Sequence, residues 1–150
     1  MDIDPRIRFE PLKETHFDAI MAIEAEAYPE AWTRGMFRDE LRSRLSVFHV
    51  MLRGDEVAGY GGFWIVLDEA HITSVTVRKT DRGKGFGRLL LRFLLDIARE
   101  RGARMATLEV RASNRVARLL YESEGFRQVG LRRGYYSKSN EDAVVMLKEL

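Results

Sequence analysis

Two spacings of apolar residues alternate along the chain. Apolar side chains recur at helical spacing in four segments, and between these segments they alternate or run together as they do in strands. The pattern predicts the order β-α-α-β-β-β-α-β-α-β-β. The predicted strands are Ile3–Leu12, Val47–Leu52, Val57–Leu67, His71–Val77, Met105–Val110, Arg127–Leu131 and Val144–Leu150, and the predicted helices are Thr15–Ala27, one that follows Thr33, one that follows Gly87, and Asn114–Glu124.

Small polar residues and glycines mark the expected ends of the helices. Thr15 and Asp18 have the spacing of a capping box for the first helix. Thr33 is expected to be the N-cap residue of the second helix. Gly102 and Gly125 are expected to end the third and fourth helices, because glycine readily takes the left-handed conformation that closes a helix.

The fourth predicted strand, His71–Val77, changes its apolar phase. Ile72 stands at an even position, whereas Val75 stands at an odd one. Strict alternation of side chains between two faces does not allow this change. The sequence therefore predicts a β-bulge near Thr73 or Ser74.

The order of elements predicts one α/β domain over residues 1–150. Strands joined by short turns are expected to be antiparallel, whereas a strand–helix–strand connection places its two strands in parallel. The sheet is therefore expected to be mixed, mostly antiparallel and partly parallel, with its parallel pair on either side of the third helix. Four helices flanking this sheet make a domain of three layers.

The composition narrows the class of protein. With 45% hydrophobic and 32% charged residues, the 150-residue chain is typical of a soluble globular domain. The absence of cysteine excludes disulfides, thiolate zinc sites and a cysteine nucleophile. No segment resembles a membrane span or a secretory signal, so we expect a cytoplasmic protein with no membrane partner. A net charge of +2 gives no reason to expect nucleic acid, no acidic or histidine cluster has metal spacing, and a monomer is the default.

A glycine-rich loop stands between the fourth predicted strand and the third helix. Its residues are Arg82, Gly83, Lys84, Gly85, Phe86, Gly87 and Arg88. Alternate glycines let backbone N–H groups converge on one point, and the N-terminus of the helix adds positive potential. The three basic side chains add diffuse positive charge. The loop therefore predicts a site for a phosphate or pyrophosphate.

Several kinds of loop share these properties. A P-loop is excluded because Gly85, and not Ser or Thr, follows Lys84. A dinucleotide-binding loop has the spacing G-x-G-x-x-G near the first strand of its domain, and an acidic residue follows it about 20 positions later. Glu109 lies at a suitable distance to be that acidic residue. The loop of this chain differs, however, because its spacing is G-x-G-x-G and several strands precede it. Arg82, Gly85 and Gly87 resemble the pattern Arg/Gln-x-x-Gly-x-Gly/Ala of the acetyl-CoA site in GNAT acetyltransferases. A purely structural turn stays open.

The C-terminal half narrows this resemblance. The runs Leu108–Asn114, Leu120–Phe126 and Arg132–Tyr136 closely resemble the RimI family of N-terminal protein acetyltransferases within the GNAT superfamily. The resemblance is strong over about residues 65–147 and covers the first third in outline. It implies the GNAT fold, acetyl-CoA as cosubstrate, and an acceptor that is a protein N-terminus, which for this family is ribosomal protein S18. Lys79 and Asp81 depart from the proline and aromatic residue that often precede the loop in the family.

The resemblance also implies roles for the matching residues. Glu109 matches the general base of the family, and Tyr121 matches its general acid. The residues that match coenzyme A contacts are Asn114, the backbone of Val75, Thr76 and Val77, and the loop residues Arg82, Gly83, Lys84, Gly85, Phe86, Gly87 and Arg88.

These residue types suit the chemistry. An α-amine has a pKa near 8 and a lysine side chain about 10.4, so some of the α-amine is already neutral at neutral pH, and a base such as Glu109 has a modest task. Since no cysteine is present and no histidine shares a motif with a serine, direct attack in a ternary complex is favoured. The predicted bulge could present the N–H of Val75 to the thioester oxygen. Glu109 as a surface residue and Tyr121 as a packing residue stay open.

The acceptor side is expected to involve aromatic side chains of two loops, namely Tyr28 and Trp32 in one and Tyr135 and Tyr136 in the other. These side chains could border a peptide groove, or each could be packed locally. A cluster of arginines is expected to form a solvated face or to meet a phosphate-bearing cofactor or a ribosomal partner; its members are Arg111, Arg115, Arg118, Arg127, Arg132 and Arg133.

Three other functions stay open, and the first is acetylation of a broader range of protein N-termini. Acetylation of a small amine predicts an acidic pocket for a cationic acceptor, and the sequence shows no acidic cluster near Tyr28 or Tyr135. A module that binds acyl-CoA without turnover is expected to lack a placed base and acid, whereas Glu109 and Tyr121 are both present. His71 is expected to be a surface or capping histidine.

Overall fold

The computed structural model describes residues 6–150. Its strands and helices follow the predicted order. They are β1 (Ile7–Pro11), α1 (Phe17–Ala27), α2 (Arg34–Arg42), β2 (Ser46–Arg53), β3 (Glu56–Val66), β4 (Glu69–Val77), α3 (Phe86–Glu100), β5 (Met105–Arg111), α4 (Arg115–Ser123), β6 (Arg127–Tyr136) and β7 (Glu141–Glu149). The first residues of the predicted strand Ile3–Leu12 lie outside the described part of the chain.

One mixed sheet organises the molecule. Its strand order is β1-β2-β3-β4-β5-β7-β6, and every neighbouring pair is antiparallel except β4 and β5. Helix α3 connects these two parallel strands, as the element order predicted. The α/β class and the position of the parallel pair are therefore confirmed.

Two hydrophobic cores lie on opposite faces of this sheet. Alternate residues of β2 enter different cores, because Val47 packs with the residues of α3 whereas Phe48 packs with those of α1 and α2. On the first face Leu90 and Leu94 of α3 are fully buried. The result is three layers, with α3 and α4 on one side and α1 and α2 on the other. Within residues 6–150 no helix is long and apolar enough to cross a membrane.

The helix ends confirm most of the capping predictions. The hydroxyl of Thr33 accepts a hydrogen bond from the backbone N–H of Met36 at 3.2 Å, and Gly102 and Gly125 take left-handed conformations just after α3 and α4. The capping box of Thr15 and Asp18 is wrong. Thr15 lies inside a short 3₁₀ turn that precedes α1, and the N-cap residue of that helix, His16, does not cap it with its side chain.

The middle of β4 contains the predicted bulge. Gly62 pairs with Ser74 and Phe63 pairs with Ile72, so Thr73 is the extra residue. The predicted end of the sixth strand at Leu131 is wrong. Strand β6 continues to Tyr136, so Tyr135 and Tyr136 lie in a strand and not in a loop.

Candidate active site

The sheet opens between β4 and β5. Their parallel pairing ends at His71 and Thr107, and beyond these residues the two strands share no pairs. The opening forms a cleft of about 560 Å³. The predicted site residues that line it are Tyr28, Trp32, Val75, Glu109, Asn114, Tyr121, Tyr135 and Tyr136. Thr76, Val77 and the loop from Arg82 to Arg88 lie outside this lining.

Glu109 lies on the cleft side of β5, between the buried core residues Leu108 and Val110. Its side chain is only 13% exposed, so it is not a surface glutamate. Its two oxygens contact different basic groups: Nε2 of His71 lies 2.6 Å from Oε2, and Nη1 of Arg132 lies 3.1 Å from Oε1. The hydrogen bond with His71 is the main cause that lowers the pKa of Glu109, with a further contribution from Arg132 and against the effect of burial. The carboxylate is therefore ionised at neutral pH.

His71 is a site residue that sequence reasoning missed. It was expected at the surface or as a cap, yet it lines the cleft beside Glu109. The same hydrogen bond raises the pKa of the His71 imidazole, while burial acts against this rise. The available signal was positional, because parallel pairing brings the first residues of β4 beside the first residues of β5 and sets His71 opposite Thr107, two residues before Glu109.

Tyr121 belongs to the core and to the cleft at once. It is a buried residue of α4, and its ring makes an edge contact with Phe126 at 5.7 Å between centroids. Burial is the main cause that raises the pKa of its phenol, which therefore stays protonated at neutral pH. Its hydroxyl makes no hydrogen bond to any described residue, so it is free to donate to a ligand in the cleft.

Helix α1 and the loop between it and α2, together called the α1–α2 segment, carry two further carboxylates of the cleft, neither of which was predicted. Glu24 is almost fully buried and accepts hydrogen bonds from the Tyr60 hydroxyl at 2.6 Å and from the Trp32 backbone N–H at 3.0 Å. Glu30 accepts hydrogen bonds from the backbone N–H of Lys138, at 2.9 Å, and of the next residue. Glu30 thereby joins the α1–α2 segment to the turn between β6 and β7.

The predicted aromatic border is present, and its members also pack locally. The Tyr28 hydroxyl is 2.7 Å from Oγ1 of Thr76. The Trp32 ring packs against Phe37 at 5.2 Å as well as lining the cleft. The rings of Tyr135 and Tyr136 are in edge contact, 5.1 Å between centroids.

Two of the clustered arginines belong to this site. The guanidinium of Arg111 lies over the Tyr136 ring at 3.9 Å, and that of Arg132 lies over the Tyr135 ring at 4.7 Å. Arg111 also contacts Glu30 at 3.8 Å. Arg111, with 13% of its side chain exposed, is therefore not a solvated surface residue, whereas Arg132 contacts Glu109 and keeps 54% of its side chain exposed.

The glycine loop leads into the N-terminus of α3. Gly83 and Gly85 have φ angles of 76° and 86°, a region that side-chain-bearing residues rarely adopt, and Gly85 is the N-cap residue. As a glycine, Gly85 has no side chain with which to cap α3, so the N–H groups of the first turn can bind an anion. Gly87 differs, because a Cβ there would face Leu120 at 3.5 Å and Val77 at 3.9 Å, toward the protein.

The basic side chains of the loop are less free than the sequence indicated. Arg82 donates from Nε to the carbonyl of Val77 at 3.0 Å. Arg88 forms an ion pair with Glu124 at 2.6 Å, so its charge is largely balanced. The binding potential of the loop therefore resides mainly in its backbone and in the helix terminus.

The segment just before the loop, which departs from the family pattern at Lys79 and Asp81, has a structural explanation. Residues Lys79–Asp81 form a 3₁₀ turn. Asp81 is buried and forms ion pairs with Arg53, at 2.6 Å, and with Arg78. Burial alone would raise the pKa of Asp81, but hydrogen bonds from the two arginines lower it overall. These ion pairs thus hold the segment Lys79–Asp81 in place. In the family, a proline and an aromatic residue often stand at these positions.

These features suit an extended ligand that carries amides and a pyrophosphate. Within residues 6–150, the part of β4 between Ile72 and Val77 pairs with β3 alone, so its other edge can bind amides of a ligand. The N-terminus of α3 lies next along the chain and suits phosphate groups. Among residues 6–150 no group of three or more His, Asp or Glu side chains could hold a metal ion.

Comparisons with known proteins agree with this geometry. The sequence matches the acetyltransferase (GNAT) family over residues 17–126. It is 36% identical to the ribosomal protein bS18-alanine N-acetyltransferase of Escherichia coli over 137 residues, which cover 90% of this chain and 92% of that one. It is also 36% identical to the N-alpha-acetyltransferase RimI of Mycobacterium tuberculosis over 143 residues, or 90% and 89% of the two chains.

The fold agrees as well. The crystal structure of the ribosomal-protein-S18-alanine N-acetyltransferase from Escherichia coli superposes with a TM-score of 0.87 at 32% identity, covering 95% of this chain and 93% of that one. The chain belongs to the GNAT family, and it is an acetyl-CoA-dependent N-acetyltransferase of the RimI kind.

Proposed function

We propose that this protein acetylates the N-terminal α-amine of a protein, with ribosomal protein S18 as the first acceptor to test, by direct attack in a ternary complex. The observation that carries the proposal is that Glu109 and Tyr121 line one cleft whose sides bear the aromatic residues expected for a peptide. The relatives named above, which are N-acetyltransferases of bS18 in E. coli and of N-termini in M. tuberculosis, support the choice of acceptor.

Glu109 is proposed as the general base. Its carboxylate is ionised, and each oxygen keeps a lone pair beyond its contact with His71 or Arg132. With its lowered pKa it is a weak base, which suffices for an α-amine that is already partly neutral. The proton can pass from the amine, directly or through a water, to the hydrogen-bonded pair of Glu109 and His71.

Tyr121 and Val75 are proposed to act on the thioester and not on the amine. Acetyl-CoA supplies the thioester whose carbonyl carbon the amine attacks. The protonated phenol of Tyr121 can donate to the sulfur as it gains negative charge. The backbone N–H of Val75, which follows the bulge at Thr73, can donate to the carbonyl oxygen.

The remaining predicted contacts are assigned by position. We assign the pantetheine to the free edge of β4 at Val75, Thr76 and Val77, and the pyrophosphate to the loop from Arg82 to Arg88. The side-chain oxygen of Asn114 caps α4 at 3.2 Å from the N–H of Ala117, which leaves its amide NH₂ to contact coenzyme A. Tyr28, Trp32, Tyr135 and Tyr136 are assigned to the acceptor peptide.

A small cationic amine is the rival acceptor, and the structure adds an argument about it. The cleft does contain three carboxylates, Glu24, Glu30 and Glu109, which the sequence did not bring together. Each already accepts hydrogen bonds from described residues. The partners of these carboxylates already satisfy part of their hydrogen-bonding capacity, which weakens the attraction of the cleft for a diamine.

The test is a panel of acceptors assayed for release of coenzyme A. A short peptide that begins like S18, with a free N-terminus, is expected to be a substrate, and the same peptide already acetylated at its N-terminus is the matched control. Spermidine and a simple aromatic amine represent the rival class. Turnover with the small amines and none with any free-N-terminus peptide would refute the proposal.

A further inference from the structure

The hydrogen bond between His71 and Glu109 joins an exposed imidazole to a shielded carboxylate. Because His71 lies opposite Thr107, and Glu109 follows two residues later on β5, the side chains of His71 and Glu109 are on one face of the sheet. Nε2 of His71 lies 2.6 Å from Oε2 of Glu109, so the contact is direct. The His71 side chain is 42% exposed, whereas that of Glu109 is 13% exposed. A proton on Glu109 therefore has a direct way to solvent through the imidazole.

The other oxygen of Glu109 offers no such way. Oε1 lies 3.1 Å from Nη1 of Arg132. A guanidinium group has no acceptor atom, and it keeps its protons at any ordinary pH. The imidazole of His71 is therefore the one hydrogen-bond partner of Glu109, within the described residues 6–150, that can take up a proton.

Carboxylates dominate the charge around this pair. Glu69 accepts a hydrogen bond from the Thr107 hydroxyl at 3.2 Å, and Glu24 and Glu30 also accept mainly from neutral donors. The other charged and titratable groups that face the pair from neighbouring elements are Tyr28, Arg111, Tyr121, Arg132, Tyr135 and Tyr136. Arg111 is itself paired with Glu30. The surroundings therefore favour a positive charge on the imidazole.

The two partners hold a proton with different strength. The hydrogen bond with Glu109 is the main cause that raises the pKa of His71; Glu69 adds to this rise, whereas burial and Arg132 act against it. The same hydrogen bond lowers the pKa of Glu109. A proton shared by the pair is therefore retained by the imidazole and not by the carboxylate, which by itself is a weak base.

We propose that His71 takes up the proton that the attacking amine loses, and that Glu109 passes this proton on through their hydrogen bond. As the amine attacks the thioester, one of its N–H bonds breaks and a new N–H bond forms on the imidazole, so Glu109 is ionised before and after the step. Water then removes one proton from the imidazolium. Nδ1 of His71 suits this exit, because it is not buried and has no hydrogen-bond partner among the described residues.

In this scheme His71 does not contact the amine and acts through Glu109. The inference rests on the proposed function, because it takes Glu109 as the group that meets the amine. It is independent of the identity of the acceptor, since any amine that attacks the thioester must lose a proton.

The scheme gives the reaction a pH dependence of defined sign. Below its raised pKa His71 is already protonated, so the advantage that it provides is lost as the pH falls and is complete above that pKa. A His71 that only orients Glu109 gives the opposite sign or none, because the imidazolium is the stronger hydrogen-bond donor. The direction of the pH dependence therefore separates proton uptake from orientation.

The test compares the wild type with His71→Gln, whose amide can still donate a hydrogen bond to Glu109 but cannot take up a proton. The kcat of each is measured by coenzyme A release over a series of pH values, with the acceptor of the panel that is turned over fastest. The ratio of the two kcat values cancels the ionisation of the acceptor amine. We expect the wild-type advantage to be small below 6.5, the ordinary pKa of histidine, and to rise to about tenfold above the raised pKa of His71.

Two further variants separate proton uptake from structure. His16→Gln makes the same chemical change outside the cleft, where the ring accepts a hydrogen bond from the Lys13 N–H, and it is expected to show no pH-dependent ratio. His71→Ala removes a partly exposed ring and leaves a space that a small base can enter from solution. Added imidazole is expected to raise the kcat of His71→Ala several-fold, whereas pyrazole, which has the same size and is a much weaker base, is not.

The outcomes are distinct. A ratio that stays constant or falls as the pH rises, or equal effects of imidazole and pyrazole on His71→Ala, overturns the inference even if the enzyme acetylates free peptides normally. The imidazole experiment decides if His71→Gln does not fold. Turnover of small amines alone refutes the proposed function, and the ratio measured with those amines still tests His71. No turnover with any acceptor overturns both.

Discussion

The glycine loop and the clamp, our name for His71, Glu109 and Arg132, are two regions of the proposed ligand-binding surface, and they use different parts of the chain. The loop from Arg82 to Arg88 presents backbone N–H groups at the start of α3, and its Arg88 is paired with Glu124. The clamp presents side chains of β4, β5 and β6 whose charges balance one another. Binding at the loop is expected to depend on the backbone conformation, whereas the action of the clamp is expected to depend on the charges of its side chains. Changes in the loop should therefore alter the KM for acetyl-CoA, and changes in the clamp should alter turnover and its pH dependence.

The largest effect is expected for Glu109→Gln. Loss of the general base should lower kcat by about 10²–10⁴-fold, while the KM for acetyl-CoA changes little, because the loop lies outside the cleft that Glu109 lines. Glu122→Gln, on the exposed side of α4, is the control with the same chemical change. Wild-type turnover by Glu109→Gln between about pH 6 and pH 9 would remove this residue from the mechanism.

Tyr121→Phe should come next, with kcat lower by about ten- to a hundredfold. Since the Tyr121 hydroxyl makes no hydrogen bond to the described residues, its removal should leave the melting temperature close to that of the wild type. A pre-steady-state assay of coenzyme A release measures the chemical step directly. A variant that melts normally and turns over at the wild-type rate would show that Tyr121 only packs.

Gly85→Val tests the loop side of the comparison. A β-branched residue is strained at a φ of 86°, so the N-terminus of α3 should be displaced and the KM for acetyl-CoA should rise by about tenfold. Gly54→Val, at a φ of 63° in the turn between β2 and β3, imposes similar strain far from the cleft. An equal rise of KM in both variants, or none in Gly85→Val, would contradict the assignment of the pyrophosphate.

The smallest effect concerns stability. The raised pKa of His71 means that its contribution is complete below its ordinary value of 6.5 and is lost as the pH rises through the raised pKa. The lowered pKa of Glu109 means that its contribution is present above 4.5 and is lost as the pH falls through the lowered pKa.

The free energy of unfolding of the wild type should therefore exceed that of His71→Gln most between the two values, and the difference should decline above neutrality. Urea unfolding at a series of pH values measures it. A difference that grows as the pH rises beyond 6.5 would show that the hydrogen bond between His71 and Glu109 is not the cause of the pKa shift.

The features that could be predicted from the sequence are those that local rules determine. The bulge at Thr73 follows from a phase change within one strand, and the left-handed Gly102 and Gly125 follow from the closing of single helices. The parallel pairing of β4 and β5 follows from one helical connection. The length of β6 was missed, because Gly134 is typical of a turn, and the strand continues past it only with an irregular register between Arg132 and Tyr136.

The partners of the site residues could not be predicted in the same way. Glu109 was identified through a resemblance, but its contacts come from β4 and β6, which lie far from it along the chain. The same holds for Glu30, which meets the β6–β7 turn only in the folded protein. The orientation of such side chains is set by sheet order and register, and no local pattern encodes either.

The central claim is that the enzyme transfers acetyl to an α-amine and not to a lysine side chain. The most direct measurement uses one S18-like peptide that has both a free N-terminus and an internal lysine, incubated with the wild type and acetyl-CoA. Tandem mass spectrometry then locates the added acetyl group. We expect it on the N-terminal residue, with the lysine unmodified; acetylation of the lysine with a free N-terminus would contradict the claim.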